Sequence, residues 1–129
     1  MFDDIYRNKK VLITGHTGFK GTWMSLLLKE MGAKVCGFSL APETSPNHFD
    51  LLNLESDIKH VVGDIRDLDA LNKTIQDFQP EFVFHLAAQA LVKESYANPV
   101  STFDTNVMGS VNLLEAVRKC DSVRSLVYI

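Results

Sequence analysis

Gly15, Gly18 and Gly21 stand three apart in the stretch KKVLITGHTGFKG, from Lys9 to Gly21. An apolar run, Val11-Leu12-Ile13, precedes them and a helical pattern follows. The chemistry this spacing serves is anion binding. In a turn from strand to helix, one glycine permits the tight bend, a second lets backbone approach a pyrophosphate, and a third lets the helix pack close to the strand. The anion then rests on free N–H groups at the helix start. Three glycines alone fit a tight connection that holds no ligand as well. Here they follow a predicted strand and open a predicted helix, which is the context a dinucleotide site requires.

A cradle of this kind needs a sheet behind it, and the rest of the chain supplies the pattern. Phe19, Trp23 and Leu27 fall at i, i+4 and i+8, with Met24, Leu28 and Met31 on an adjoining stripe, and Gly32 stands where a C-terminal cap belongs. A second strand is expected over Lys34 to Phe38. SLAPETSPNH then reads as a loop, and Phe49 to Leu54 as one or two helical turns. Val61 and Val62 mark a third strand ending at Gly63-Asp64. Asp67 caps a helix carrying Leu68, Leu71, Ile75 and Phe78, which Pro80 closes. Phe82 to Phe84 is a fourth strand, Pro99 to about Lys119 a long helix with Val107, Val111 and Leu114 on one face, and Ser125 to Ile129 the start of a fifth strand. Regular strand–helix alternation implies an α/β fold: a doubly wound parallel sheet of Rossmann type, strand order 3-2-1-4-5, occupying residues 1–129 as one domain that ends after the fifth strand.

In such a sheet ligands bind beyond the carboxyl ends of the strands, at the switch point between strands 1 and 4. That rule selects Gly15 to Gly21, Ser39-Leu40, Asp64-Ile65-Arg66 and Leu86 to Gln89 as one rim. Asp64 reads equally as a turn residue or as an adenine-side group. Ala87 and Ala88 are small enough for a ribose to lie against their backbone. Gln89 reads equally as a solvated amide or a ligand contact. An acid normally holds the adenosine ribose at the end of strand 2. This chain has Ser39 there and no nearby arginine, so the choice between NAD and NADP stays open.

Composition narrows the class. The 129 residues carry a net charge of −3, with 46% hydrophobic and 22% charged residues, as in an ordinary globular domain. The sequence has no Lys/Arg cluster to mark a nucleic-acid surface. It has no secretory h-region and no run long enough for a spanning helix, so a cytoplasmic protein without membrane contact is expected. Cys36 and Cys120 read as buried structural thiols. The four histidines are too scattered to suggest a metal site.

The motif TGHTGFKG, Thr14 to Gly21, matches the glycine signature of the extended short-chain dehydrogenase/reductase superfamily. With GFSLAP at 37–42, GDIRD at 63–67, HLAAQALV at 85–92 and TNVMGSVNLLEAVR at 105–118, the chain most resembles the branch that dehydrates nucleotide sugars, CDP-glucose in particular. The resemblance implies that Thr17, Gly18, Phe19 and Lys20 lie on the pyrophosphate of NAD, Ser39 near the adenosine ribose, and Asp64 and Ile65 at the adenine. Leu86, Ala87, Ala88 and Gln89 then border the nicotinamide, with Thr105 and Asn106 behind them. The implied reaction is a 4,6-dehydration: hydride leaves sugar C4, water is lost across C5–C6, and hydride returns to C6, giving a 4-keto-6-deoxy sugar for surface polysaccharide. It also implies a homo-oligomer built through the long helix.

In that superfamily the catalytic Ser/Thr and Tyr-x-x-x-Lys follow strand 5, beyond Ile129. Tyr96 does not replace them, since Val100 and not lysine stands four residues on. The expectation is therefore that these 129 residues bind the cofactor and do not turn over a nucleotide sugar alone. Two other readings stay open: a different nucleotide-sugar dehydratase or epimerase, acting on GDP-mannose or a UDP-sugar, and a non-catalytic dinucleotide-binding module covered by a partner.

Overall fold

The computed structural model describes residues 2–129. Five parallel strands, β1 Lys10–Thr14, β2 Lys34–Ser39, β3 Lys59–Val62, β4 Phe82–His85 and β5 Ser125–Tyr128, form one sheet in the order β3-β2-β1-β4-β5. This is the expected order. The central strands β1, β2 and β4 are mostly apolar and buried because helices cover both faces, while the edge strands β3 and β5 are partly exposed. On one side Leu12, Cys36, Phe38 and Val83 pack against Leu71 and Ile75 of α3 (Leu68–Phe78) and Leu113 and Ala116 of α6 (Gly109–Arg118). On the other, Val11, Ile13, Val35 and Phe84 meet Leu28 of α1 (Phe19–Glu30) and Phe49 of α2 (His48–Leu51). Truncating a fully buried strand residue such as Leu12 to alanine costs about 2–5 kcal/mol in a core of this kind.

The helix ends follow local chemistry. Gly32 takes φ +80° beyond α1, and its N–H donates to the Lys29 carbonyl at 2.8 Å. Asp67 accepts from the Ala70 N–H at 3.0 Å to start α3. Cys36 and Cys120 are buried free thiols, and burial pushes Cys36 up to about 11.

The helices depart from the sequence expectation in three places. The apolar stripe Phe19, Trp23 and Leu27 faces outward, and the buried side of α1 is Gly21, Thr22, Ser25 and Leu28. The glycine turn sets the phase of this helix, because only small side chains let it lie so close to the sheet. A short helix, α4 (Val92–Ala97), appears where no apolar period announces one. The long helix is interrupted: α5 (Pro99–Phe103) runs through a π-helical turn, Asp104–Met108, into α6. Its stripe Val107, Val111 and Leu114 is about half exposed, while Gly109, Ser110, Leu113 and Ala116 face the sheet. Among the described residues no helix is long and apolar enough to cross a membrane, and no group of three metal-ligating side chains converges.

Candidate cofactor site

The turn after β1 is built from backbone contacts that admit no side chains. Gly15 adopts φ +78°, and a Cβ there would stand 2.8 Å from the Ala87 nitrogen across the switch point. A Cβ on Gly21 would stand 2.0 Å from the Gly15 carbonyl oxygen, so the first turn of α1 lies directly on the bend. Gly18, the N-cap of α1, is different. A Cβ at Gly18 meets only the Gly15 oxygen at 3.4 Å, and φ is an unremarkable −74°. The fold itself requires Gly15 and Gly21. At Gly18 it leaves open, exposed space over the N–H groups of the helix start, which is the space a pyrophosphate needs.

Around this turn the rim closes as the strand order dictates. Thr17 Oγ1 lies 2.8 Å from Ser39 Oγ and donates to the Leu40 carbonyl at 2.9 Å, joining the turn to the end of β2. Phe19 and Lys20 are exposed at the start of α1. Asp64, beyond β3, is gripped by Arg66: its carboxylate accepts from the Arg66 N–H at 2.8 Å and from the guanidinium at 2.6 Å. These hydrogen bonds hold the Asp64 carboxyl below its ordinary value. Arg66 also reaches Asp104 in the π-turn at 3.7 Å. The Ile65 side chain is buried against Gly109, so only its backbone is left to meet a ligand. Asn112 donates to the Ile65 and Arg66 carbonyls at 3.1 and 3.0 Å, fixing this loop from α6.

The segment after β4 is anchored on both sides. The Leu86 and Ala87 N–H groups each reach Thr14 Oγ1 at 3.2 Å. Asn106 in the π-turn accepts from the Gln89 N–H at 2.7 Å and donates to the Gln89 carbonyl at 3.0 Å. The Gln89 side chain is occupied within the protein, accepting from the Leu91 N–H at 2.6 Å and donating to Thr102 at 3.1 Å. Ala88 is exposed, and Leu86, Ala87 and Thr105 are half-buried. All the rim residues selected from the sequence thus lie along the carboxyl ends of β1 to β4, with Thr105 in the π-turn behind.

Sequence reasoning missed the groups beneath the rim. His16, inside the glycine turn, is fully buried, and its Nε2 stands 2.6 Å from His60 Nδ1. Its ring occupies the place of a side chain on Gly37, where a Cβ would come within 2.1 Å of His16 Cγ. Burial first, and then His60, lower His16 to about 4. The one available signal was a glycine in mid-strand, which often marks close approach of another group. His85 of β4, buried Ser110 of α6 and the exposed Tyr128 of β5 form a second hydrogen-bonded polar set.

The family model for GDP-mannose 4,6 dehydratase matches residues 12–129. The chain belongs to that family. Within it, the CDP-glucose 4,6-dehydratase of Salmonella typhimurium is 47% identical over 98% of the chain and 35% of the relative. The GDP-mannose 4,6-dehydratase of Yersinia enterocolitica is 34% identical over 85% of the chain and 31% of the relative. Among solved structures, the UDP-glucose 4-epimerase of Thermus thermophilus, in complex with NAD, superposes with a TM-score of 0.78 at 32% identity, covering 91% of this chain and 36% of that one. An epimerase from Methanothermobacter thermautotrophicus reaches 0.84 at 30% identity, covering 97% and 36%. The chain spans about a third of the length of these relatives. These solved structures share this Rossmann-type sheet.

Proposed function

We propose that this chain is the NAD-binding part of a nucleotide-sugar 4,6-dehydratase whose substrate is CDP-glucose. The open space at Gly18 carries the cofactor reading, because the protein leaves that room unfilled while Gly15 and Gly21 are packed solid. Thr17 to Lys20 hold the pyrophosphate, against the free N–H groups at the start of α1. Ser39 meets the adenosine ribose, Asp64 and the Ile65 backbone meet the adenine, and Leu86 to Gln89, backed by Thr105 and Asn106, form the nicotinamide wall. NAD, when bound, supplies a transient store for the hydride taken from the sugar and given back. The residues of this chain orient it and exclude water. CDP-glucose is favoured over GDP-mannose by the 47% identity to the Salmonella enzyme against 34% to the Yersinia one.

These 129 residues bring no acid–base pair to the sugar. Tyr96 is exposed, and Val100 stands where a partner lysine would be. Turnover belongs to the whole protein, acting in the cytoplasm as a homo-oligomer. Val100, Phe103, Val107, Val111 and Leu114, exposed along α5, the π-turn and α6, supply the surface for a second copy.

The test is thermal unfolding with NAD or NADP. A ligand at 100 times its Kd stabilises by about 2.7 kcal/mol, so saturating NAD raises Tm by several degrees. No rise with either dinucleotide refutes the proposal. An epimerase reading draws on the likeness to the Thermotoga maritima UDP-glucose 4-epimerase, TM-score 0.81. Incubating the whole protein with CDP-glucose and with UDP-glucose decides between them, by formation of a 4-keto sugar from the first or an epimer from the second.

A further inference from the structure

Five residues from five elements form a polar chain directly beneath the rim, buried at Thr14, His85 and Ser110 and open to solvent at Tyr128, and its proton directions follow by counting. Ser110 Oγ has one proton, which goes to the Asn106 carbonyl at 2.6 Å. It therefore accepts from its other two neighbours, His85 Nε2 at 3.2 Å and the Tyr128 hydroxyl at 3.0 Å. His85 then carries its proton on Nε2. Its Nδ1 is a bare acceptor, and the hydroxyl 2.6 Å away that fills it is Thr14 Oγ1. With its own proton directed at His85, Thr14 Oγ1 keeps its lone pairs for the Ala87 N–H at 3.2 Å and for the Leu86 N–H at 3.2 Å, which the Thr14 carbonyl also accepts at 3.1 Å. Every hydroxyl in the chain has one role, and one tautomer of His85 satisfies them all.

We propose that His85 is a positioning residue, locked as the neutral Nε2–H tautomer, which aims the Leu86–Ala87 peptide groups through Thr14 and holds the Asn106 carbonyl through Ser110. This deepens the cofactor reading and rests on it for what lies against the wall. The chain ties the bend after β1 to the segment after β4 at the point where Gly15 and Ala87 already touch backbone to backbone. It thereby fixes the width of the crevice. Were the proton on Nδ1, Thr14 would have a third donor aimed at it and no acceptor for its own hydroxyl. The Ala87 amide would have to turn away, while Leu86 keeps the Thr14 carbonyl. The groups facing the ring are Thr14 of β1, Ser110 of α6 and, edge-on at 5.0 Å, Tyr128 of β5. Burial holds the imidazole below its ordinary value, which favours the neutral form the chain needs.

The test is ¹⁵N NMR of the histidine rings, read beside NAD titrations. In the wild-type protein His85 shows a protonated Nε2 and a bare Nδ1, and Ser110→Ala, which removes the acceptor, shifts it toward Nδ1–H. Thr14→Val keeps the shape and loses the hydroxyl. It weakens NAD binding roughly tenfold, the size of one buried hydrogen bond, while Thr14→Ser restores it. A wild-type His85 that is Nδ1–H or a mixture overturns the proposal, as does undiminished NAD affinity in Thr14→Val. The cofactor reading is read separately, from whether wild-type protein binds NAD at neutral pH. NAD binding with an Nδ1–H His85 defeats the proposal alone.

Discussion

His16 Nε2 and His60 Nδ1 stand 2.6 Å apart across the bare face of Gly37, so a side chain from the glycine turn is bonded to the third strand through a gap in the second. Gly37 is paired with Ile13 on one side and His60 on the other, and Phe49 closes the cluster edge-on to His16 at 5.2 Å. The turn is thus held from below by a ring that no other residue in mid-β2 would admit.

Gly37→Ala must displace that ring, because the new Cβ would come within 2.1 Å of it. Overpacking of this kind costs about 1–3 kcal/mol. The same change made in a His16→Ala background costs much less, since the ring is gone. Urea unfolding of the four proteins measures this coupling, and additive losses would contradict it.

Buried His16 also makes stability depend on pH. His16 has a folded value of about 4 against an ordinary 6.5. The unfolded chain therefore takes up a proton first as pH falls. Stability is fully present above about 6.5 and declines through the window down to about 4, by on the order of 3 kcal/mol, at 1.36 kcal/mol per unit. His16→Gln removes this part of the slope. Denaturant midpoints at pH 7, 6 and 5 check it, and parallel slopes in the two proteins would contradict it.

The exposed stripe on α5 and α6 predicts self-association. Val111→Arg combined with Leu114→Arg places charge on two half-exposed positions and leaves the sheet-facing Leu113 and Ala116 untouched. Sedimentation should show the wild type as a dimer and the double variant as a monomer with unchanged secondary structure. A wild-type monomer at micromolar concentration would contradict the assignment.

The sheet order was legible because its signal is local: apolar runs bounded by Gly, Pro and Asp, alternating with helical periods. The rim was legible for the same reason, since strand order places the carboxyl ends of β1 to β4 together without any knowledge of side chains. The outward stripe of α1 was not legible. Periodicity finds the apolar face at Phe19, Trp23 and Leu27, whereas the close approach at Gly21 decides which face turns inward, and here it is the small one. The His16–His60 and Thr14–His85–Ser110 contacts join residues 25 to 71 positions apart. Such pairs leave no period in the sequence. Only Gly37, a glycine inside a strand, hinted at the first of them.

The glycine turn itself supplies the most direct test of the account. Calorimetric titration of NAD into wild type, Gly18→Ala and Gly21→Ala separates what the fold needs from what the ligand needs. The Gly18→Ala protein should melt within about 1 kcal/mol of wild type and bind NAD at least tenfold more weakly, because its Cβ would touch only the Gly15 oxygen, at 3.4 Å, in the protein and would meet the pyrophosphate in the proposed complex. Gly21→Ala should fail to fold stably, with its Cβ 2.0 Å from the Gly15 oxygen. A Gly18→Ala protein that binds NAD as tightly as wild type would contradict the claim that this turn is the pyrophosphate cradle.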